Sequence, residues 1–320
     1  MTSFFVPVLD QIHQVEELIR VQAEGYHTDL QAALEHLLKS GGKRIRPTLT
    51  LLVGRMLGAA ESQLITLAAS IELLHTATLV HDDLIDGALL RRGIPTLNAR
   101  WSPGATVLTG DFLFARAAKL AAETNSIPVM RLFAETLTII VNGEISQMFG
   151  QPCQTALDHY YRRIYAKTAS LFEASTGCAA MISTADDALI ARLRHFGREL
   201  GMAFQIVDDI LDLTGEEAQL GKPIGNDLRQ GIVTLPVINY LHTYPEDPLS
   251  QVLLQGKCLQ NEADILGLIE RIRQSPAIEE AHQEAERFIK NALDDLYTLP
   301  ESPERQYLEE LTWFVTRRRT

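Results

Sequence analysis

Residues 73–86 read LLHTATLVHDDLID, and residues 201–214 read GMAFQIVDDILDLT. In both, an apolar run ends in aspartates spaced DDxxD: Asp82, Asp83 and Asp86 in the first, Asp208, Asp209 and Asp212 in the second. On an α-helix the outer pair of each trio are i and i+4, so their carboxylates share one face, while the middle one projects about 100° away. With 17 aspartates in 320 residues, DDxxD is expected by chance ~0.05 times, so two copies are not an accident of composition.

Outward from these stretches the chain keeps the helical period. Leu64, Leu67, Ala68, Ile71, Leu74 and Thr78 form one stripe. No proline falls between Pro47 and Pro95 or between Pro152 and Pro223, and period-two alternation is absent. Breaks are expected near Gly41-Gly42, Pro95, Pro103, Pro128, Pro152, Gly221 to Gly225 and Pro245 to Pro248. Phe133 to Val141 and Leu200 to Leu213 are apolar almost all round, as in helices buried centrally or lining a cavity. Length alone would suggest about two domains. No Ser/Pro/Gly-rich linker divides the sequence, however, so one all-α domain over residues 1–320 is expected.

Composition narrows the function. Apolar residues make up 46% of the chain, which excludes a disordered chain. Lys plus Arg is 29 against 41 Asp plus Glu, a net charge of −12, so the surface repels nucleic acid. Cys153, Cys178 and Cys258 form no CxxC pair, and neither a disulfide framework nor a zinc site is expected. The N-terminal residues read as a helix start rather than a signal peptide, and no charge-free stretch of ~20 apolar residues offers a membrane span. A soluble cytoplasmic protein is the expectation.

Acidic runs are usually solvated helix ends, but the flanks LLHTATLV and GMAFQIV argue for carboxylates at the rim of an apolar cavity. Paired carboxylates there repel by roughly 4 kcal/mol at 4 Å and an effective dielectric near 20, unless a cation neutralises them. All-oxygen ligation suits Mg²⁺, which takes few carboxylates and completes its shell with water and substrate phosphates. Two facing clusters with Mg²⁺ and a diphosphate between them are therefore expected. The basic residues fit an anion: Lys43, Arg44 and Arg46 follow the glycine break, Arg91-Arg92-Gly93 follows the first trio, and Lys167-Thr168 and Lys222 lie further on. His75, seven residues before Asp82, is on the aspartate face, either as a satisfied core histidine or as a substrate contact. Arg317 to Arg319 are a frayed tail or a flap over bound diphosphate.

GGKRIRP (41–47), LLHTATLVHDDLIDGALLRRGIPTLN (73–98), Gly143-Glu144 with Gln147, YAKTASLFEAS (165–175) and FQIVDDILDLTG with AQLGKPIGNDL (204–228) follow one another in this order. The set resembles the trans-isoprenyl diphosphate synthases, most closely the long-chain octaprenyl and solanesyl types. The resemblance implies an antiparallel helix bundle around a deep central cavity, a homodimer, and head-to-tail condensation of isopentenyl diphosphate with an allylic diphosphate such as farnesyl or geranylgeranyl diphosphate. It also implies about three Mg²⁺, with Asp82 and Asp86 holding two and Asp208 the third, and Asp83, Asp209 and Asp212 in supporting roles. Arg91, Lys167 and Lys222 would hold the leaving group. Lys43, Arg46, His75 and Arg92 would bind isopentenyl diphosphate, and Thr168 and Gln205 would shield the allylic cation. One position departs: many relatives have a lysine where Ile232 stands before Thr234-Leu235-Pro236, so one phosphate contact is lost or is supplied by Arg229.

Farnesyl diphosphate synthases place bulky aromatics four and five residues before the first aspartate, where this chain has Thr78 and Ala77. Small residues there either leave the tunnel open or only permit close helix packing. Each further helical turn adds roughly 5.4 Å, on the scale of one isoprene unit. Leu74 and Ile71 lie below, with Phe133 or Leu137 as a floor, and a hexaprenyl or longer product is expected. The alternatives are a geranylgeranyl-type synthase, a terpene cyclase (disfavoured by the intact second trio and GGKRIRP), and a regulatory subunit of a heteromeric synthase.

Overall fold

Helices dominate the computed structural model, which describes residues 3–215 and 223–317. Lys222 of the expected phosphate set, with Arg318 and Arg319, lies outside the described residues. In chain order the elements are α1 Leu9–Arg20, α2 Thr28–Lys39, α3 Ile45–Met56, α4 Glu61–Ile85, strands β1 Leu90–Arg91 and β2 Ile94–Pro95, α5 Pro103–Glu123, α6 Ile127–Phe149 and α7 Leu157–Ile164. A π-helical turn, Tyr165–Ala169, leads to α8 Ser170–Met181 and α9 Asp187–Thr214. Then come α10 Asn226–Arg229, α11 Leu235–Thr243, α12 Pro248–Leu254, α13 Glu262–Arg273, α14 Ala277–Tyr297 and α15 Pro303–Arg317.

Proline and short polar side chains set several helix starts, as expected. Pro103 opens α5 with the Ser102 hydroxyl accepting from the Ala105 amide, and Pro248 opens α12 with Asp247 accepting from the amides of Leu249 and Ser250.

The chain divides into two compact units. The first comprises Met1–Thr136, Leu171–Arg194 and Leu296–Leu311; the second comprises Leu137–Ser170, His195–Asp295 and Thr312–Thr320. Within the first unit α4 packs against α1, α3 and α5. The stripe of Leu64, Leu67, Ala68, Ile71 and Leu74 is fully buried, as its period requires. By length and apolar composition α4 could cross a membrane, but 61% of its most apolar window is buried inside the protein. It is a core helix.

Three features depart from the sequence reading. Leu90–Arg91 and Ile94–Pro95 pair as a two-residue antiparallel hairpin. Its turn residues, Arg92 and Gly93, both take positive φ (52° and 74°), the geometry of a tight hairpin turn. Strands this short leave no alternation to read. Second, Cys153 and Cys258 are disulfide-bonded, with Cα atoms 5.5 Å apart, although 105 residues separate them. Two loops meet beside Gly231, whose carbonyl accepts from the Cys153 amide at 2.8 Å, and no sequence spacing announces such a meeting. Third, α6 is not buried all round. Phe133 and Ile140 are inside, but Val141, Ile145, Met148 and Phe149 are exposed, Phe149 by 82%.

Candidate active site

The first aspartate trio closes α4, with Asp82 and Asp83 in its last turn and Asp86 as its C-cap. Asp83 is buried, Asp82 half-buried and Asp86 exposed. The hairpin turns the chain back on this helix end and brings Arg91 onto Asp83. Its Nε donates to Oδ1 and Oδ2 at 2.9 and 3.1 Å, and a terminal nitrogen lies 2.7 Å from Oδ1. A guanidinium fork of this kind fixes a carboxylate in two directions. Turning at Arg92 and Gly93 sends Arg92 the other way, where its guanidinium donates to the Gly41 carbonyl. The GGKRIRP loop and the RRG turn are thereby joined.

Not all cations of that loop serve one purpose. Arg44, at φ 45°, is inserted between Glu16 and the buried Glu72, both 2.8 Å away, and so anchors the loop to α1 and α4. Arg46 lies over the Phe172 ring, its guanidinium carbon 4.7 Å from the centroid. His75 is half-buried on α4. Burial, then the fields of Arg46, Arg91, Arg92 and Arg44, hold its imidazole well below its usual pKa. It is a neutral ring at neutral pH, surrounded by fixed positive charge. That arrangement suits an anionic ligand.

Within the second unit, α9 carries Gln205, Asp208, Asp209 and Asp212. Asp209 is 3% exposed and accepts from the Tyr160 hydroxyl at Oδ2 and from Gln205 Nε2 at Oδ1, each at 2.8 Å. Burial, then the neighbouring Asp227, pushes its carboxyl up to about 7. Gln205 Oε1 in turn accepts from the Thr168 hydroxyl at 2.5 Å. Asp208 and Asp212 are half-buried. Asp212 also anchors the chain beyond the cluster: its Oδ2 accepts from the Asp227 amide at 3.3 Å and its backbone carbonyl from the Gly225 amide at 2.8 Å.

Lys167 and Thr168 sit on the π-helical turn between α7 and α8, a local widening frequent at functional sites. Gly143 of α6 accommodates that turn. A Cβ there would lie 2.6 Å from the Ala166 methyl, so only glycine permits the approach. Lys167 is exposed, with Glu144 3.8 Å away. Sequence reasoning missed Tyr160, because nothing in DHYYRRIYAKT distinguishes it from a surface tyrosine. Arg229, a possible substitute for the absent lysine at Ile232, is turned to Glu262 and the Ile224 carbonyl.

Among the described residues no three carboxylate, imidazole or thiol groups form a ready-made metal cage. The donor set still fits Mg²⁺: the outer aspartates offer carboxylate oxygens at or near the surface, and Mg²⁺ needs only one or two carboxylates beside phosphate and water. Of the residues expected to bound the product, Ala77, Leu74 and Ile71 are fully buried and Phe133 nearly so, whereas Thr78 is half-buried. Thr78 is thus the small residue on the accessible side of α4. Ala77 is enclosed by its neighbours.

An all-α fold carrying two aspartate trios with arginines and lysines around them defines a class of diphosphate-processing enzymes, and comparison with known proteins specifies the family. Residues 27–271 match the Polyprenyl synthetase family. Heptaprenyl diphosphate synthase component 2 of Geobacillus stearothermophilus is 38% identical over 314 residues, covering 97% of this chain and 96% of that protein. The crystal structure of heptaprenyl diphosphate synthase from Staphylococcus aureus matches with a TM-score of 0.92 at 32% identity, covering 98% and 99% of the two chains. Polyprenyl synthase from Caulobacter crescentus CB15, complexed with calcium and isoprenyl diphosphate, matches at 0.91 and 35% identity, covering 99% and 97%. The chain belongs to the polyprenyl synthetase family, and it is a trans-prenyltransferase with the isoprenoid synthase fold.

Proposed function

We propose that this chain condenses isopentenyl diphosphate head-to-tail onto an allylic diphosphate, and repeats the step to a hexaprenyl or longer product. One observation carries the reading, a division of labour repeated on two separate helices. The middle aspartate of each trio is buried and tied to neighbouring side chains, while Asp82, Asp86, Asp208 and Asp212 stay at or near the surface. Both compact units then serve one synthase domain, residues 1–320.

Asp82 and Asp86 would hold two Mg²⁺ and Asp208 a third. When bound, these ions supply Lewis-acid stabilisation of the diphosphate as it departs. Arg91, Lys167 and Lys222 bind that leaving group by charge. Lys43, Arg46 and Arg92 bind the isopentenyl diphosphate, and His75, kept neutral, adds a hydrogen bond rather than a further charge. Thr168 and Gln205 present polar atoms to the allylic cation, and apolar walls exclude the water that would quench it. The departing diphosphate takes the final proton. Ile232 leaves the phosphate site one contact short, and the engagement of Arg229 elsewhere supports that view.

The half-buried Thr78 supports a long product. The full burial of Ala77, Leu74 and Ile71 favours the second reading, a geranylgeranyl-type synthase whose cavity ends one turn below Thr78. A homodimer is part of the proposal, supported by the exposed apolar stripe Val141, Ile145, Met148 and Phe149. The Geobacillus relative's description as component 2 supports testing for a partner subunit as well. The first test is incorporation of labelled isopentenyl diphosphate by the purified chain with an allylic primer. Activity lost to a chelator and restored by Mg²⁺ is the expected result; no incorporation under any metal would overturn the reading.

A further inference from the structure

We propose that Tyr160 is a positioning residue for prenyl transfer: through Asp209 it sets the orientation of the Gln205 amide and so the polarity of the Thr168 hydroxyl. The inference rests on the reading of Thr168 and Gln205 as groups facing the allylic cation. The four side chains form one hydrogen-bonded chain within the second unit, with a donor and an acceptor assigned at every link. Tyr160 donates its hydroxyl proton to Asp209 Oδ2 at 2.8 Å, and Gln205 Nε2 donates to Asp209 Oδ1 at 2.8 Å. Thr168 donates to Gln205 Oε1 at 2.5 Å.

The polarity follows from which groups can do what. Both oxygens of Asp209 accept here, Oδ2 from Tyr160 and Oδ1 from Gln205, whereas a carboxamide can present either its oxygen or its nitrogen to a neighbour. Asp209 therefore draws the nitrogen of Gln205 to itself and leaves the amide oxygen toward Thr168. A threonine hydroxyl has one proton, and Gln205 takes it. To any further group the Thr168 oxygen then offers lone pairs alone. A carbocation is stabilised by lone pairs and repelled by the positive end of an O–H dipole, so this polarity is the productive one.

Tyr160 is what holds Asp209 at its second oxygen. It is 1% exposed on α7, with the Arg163 guanidinium 5.4 Å from its ring centre and that arginine donating to the Val233 carbonyl at 2.8 Å. Without the phenol, Asp209 is held at one oxygen and can rotate, and the Gln205 amide can turn with it. The hydroxyl of Thr168 then loses its fixed acceptor. Tyr160 touches neither substrate nor reacting atoms in this scheme, so its effect belongs to the chemical step and not to binding.

The test is Tyr160→Phe, which keeps the ring, assayed for condensation in the full-length enzyme alone and in a Gln205→Leu background. The expected result is a kcat lower by roughly tenfold, the scale of one hydrogen bond to a charged group, with both KM values within about twofold. In the Gln205→Leu background the same change should cost nothing further, because the amide it orients is gone. An unchanged kcat, an equal loss in both backgrounds, or a rise in KM at constant kcat would each overturn the proposal. Should the Phe variant fail to fold, Asp209→Ala tests the same relay. It removes the acceptor to which both Tyr160 and Gln205 donate, so kcat falls at near-constant KM, and a retained kcat overturns the relay. Turnover by the wild type with no effect of the variants defeats the relay alone. A wild type with no turnover defeats the prenyl-transfer reading and the relay with it.

Discussion

Arg91 reaches back across the hairpin to clasp Asp83, with Nε 2.9 Å and a terminal nitrogen 2.7 Å from the same carboxylate oxygen. The pair locks the RRG turn onto the end of α4 and commits Asp83 to structure. Its neighbours Asp82 and Asp86 remain half-buried and exposed, on the side where a cation can reach them.

This difference is measurable by substitution. Asp82→Ala should lower kcat by on the order of a thousandfold with little change in melting temperature, since it removes a carboxylate that would hold the Mg²⁺ stabilising the departing diphosphate. Asp83→Asn should instead cost about 1–3 kcal/mol of stability, because a buried partner of Arg91 is weakened, and leave kcat within roughly tenfold. Steady-state kinetics and thermal melts on both variants check the ordering, and equal kcat losses would refute it.

Product length should respond to Thr78 more cleanly than to Ala77. Thr78→Phe places a ring on the accessible side of α4 and should shorten the longest product by at least one isoprene unit. Ala77→Tyr has no space to enter, since Ala77 is fully buried, and should destabilise the fold by about 1–3 kcal/mol through overpacking. Chromatography of dephosphorylated products, beside thermal melts, distinguishes the two.

The thiols should react in a fixed pattern. Cys153 and Cys258 are bonded and Cys178 is buried, its thiol pushed up to about 12 by that burial. Native, unreduced protein should therefore resist alkylation at pH 8. Unfolding without reductant should expose one thiol, and unfolding with reductant should expose three. Mass spectrometry of the alkylated peptides is the check, and rapid labelling of Cys153 in the native protein would contradict the pairing.

Magnesium and inorganic diphosphate should stabilise the protein together far more than either alone. Each ligand favours the other: a bound Mg²⁺ lowers the repulsion between diphosphate and the aspartates, and diphosphate completes the metal's oxygen shell. At about 100-fold above the apparent dissociation constant, linkage gives roughly 2.7 kcal/mol, seen as a higher melting temperature. Additive small shifts would argue against a shared site.

Much of this was legible in the sequence, because spacing alone carries it. The i, i+4 aspartates, the apolar stripe of α4 and the proline-marked breaks all follow from helical geometry, and the structure places them as read. The hairpin at Arg91 to Ile94 was invisible, since two-residue strands have no period. Ala77 and Thr78 look alike in sequence, and only packing tells the buried one from the accessible one. Tyr160 and the Cys153–Cys258 bond were missed for a common reason. Each depends on which side chain a distant segment brings alongside, and no local pattern encodes that meeting.

The most direct measurement incubates the purified chain with Mg²⁺, labelled isopentenyl diphosphate and farnesyl diphosphate, then chromatographs the dephosphorylated products. A ladder reaching hexaprenol or beyond is the expected result. Product that stops at geranylgeraniol would contradict the long-chain assignment, and no product at all would contradict autonomous catalysis by this chain.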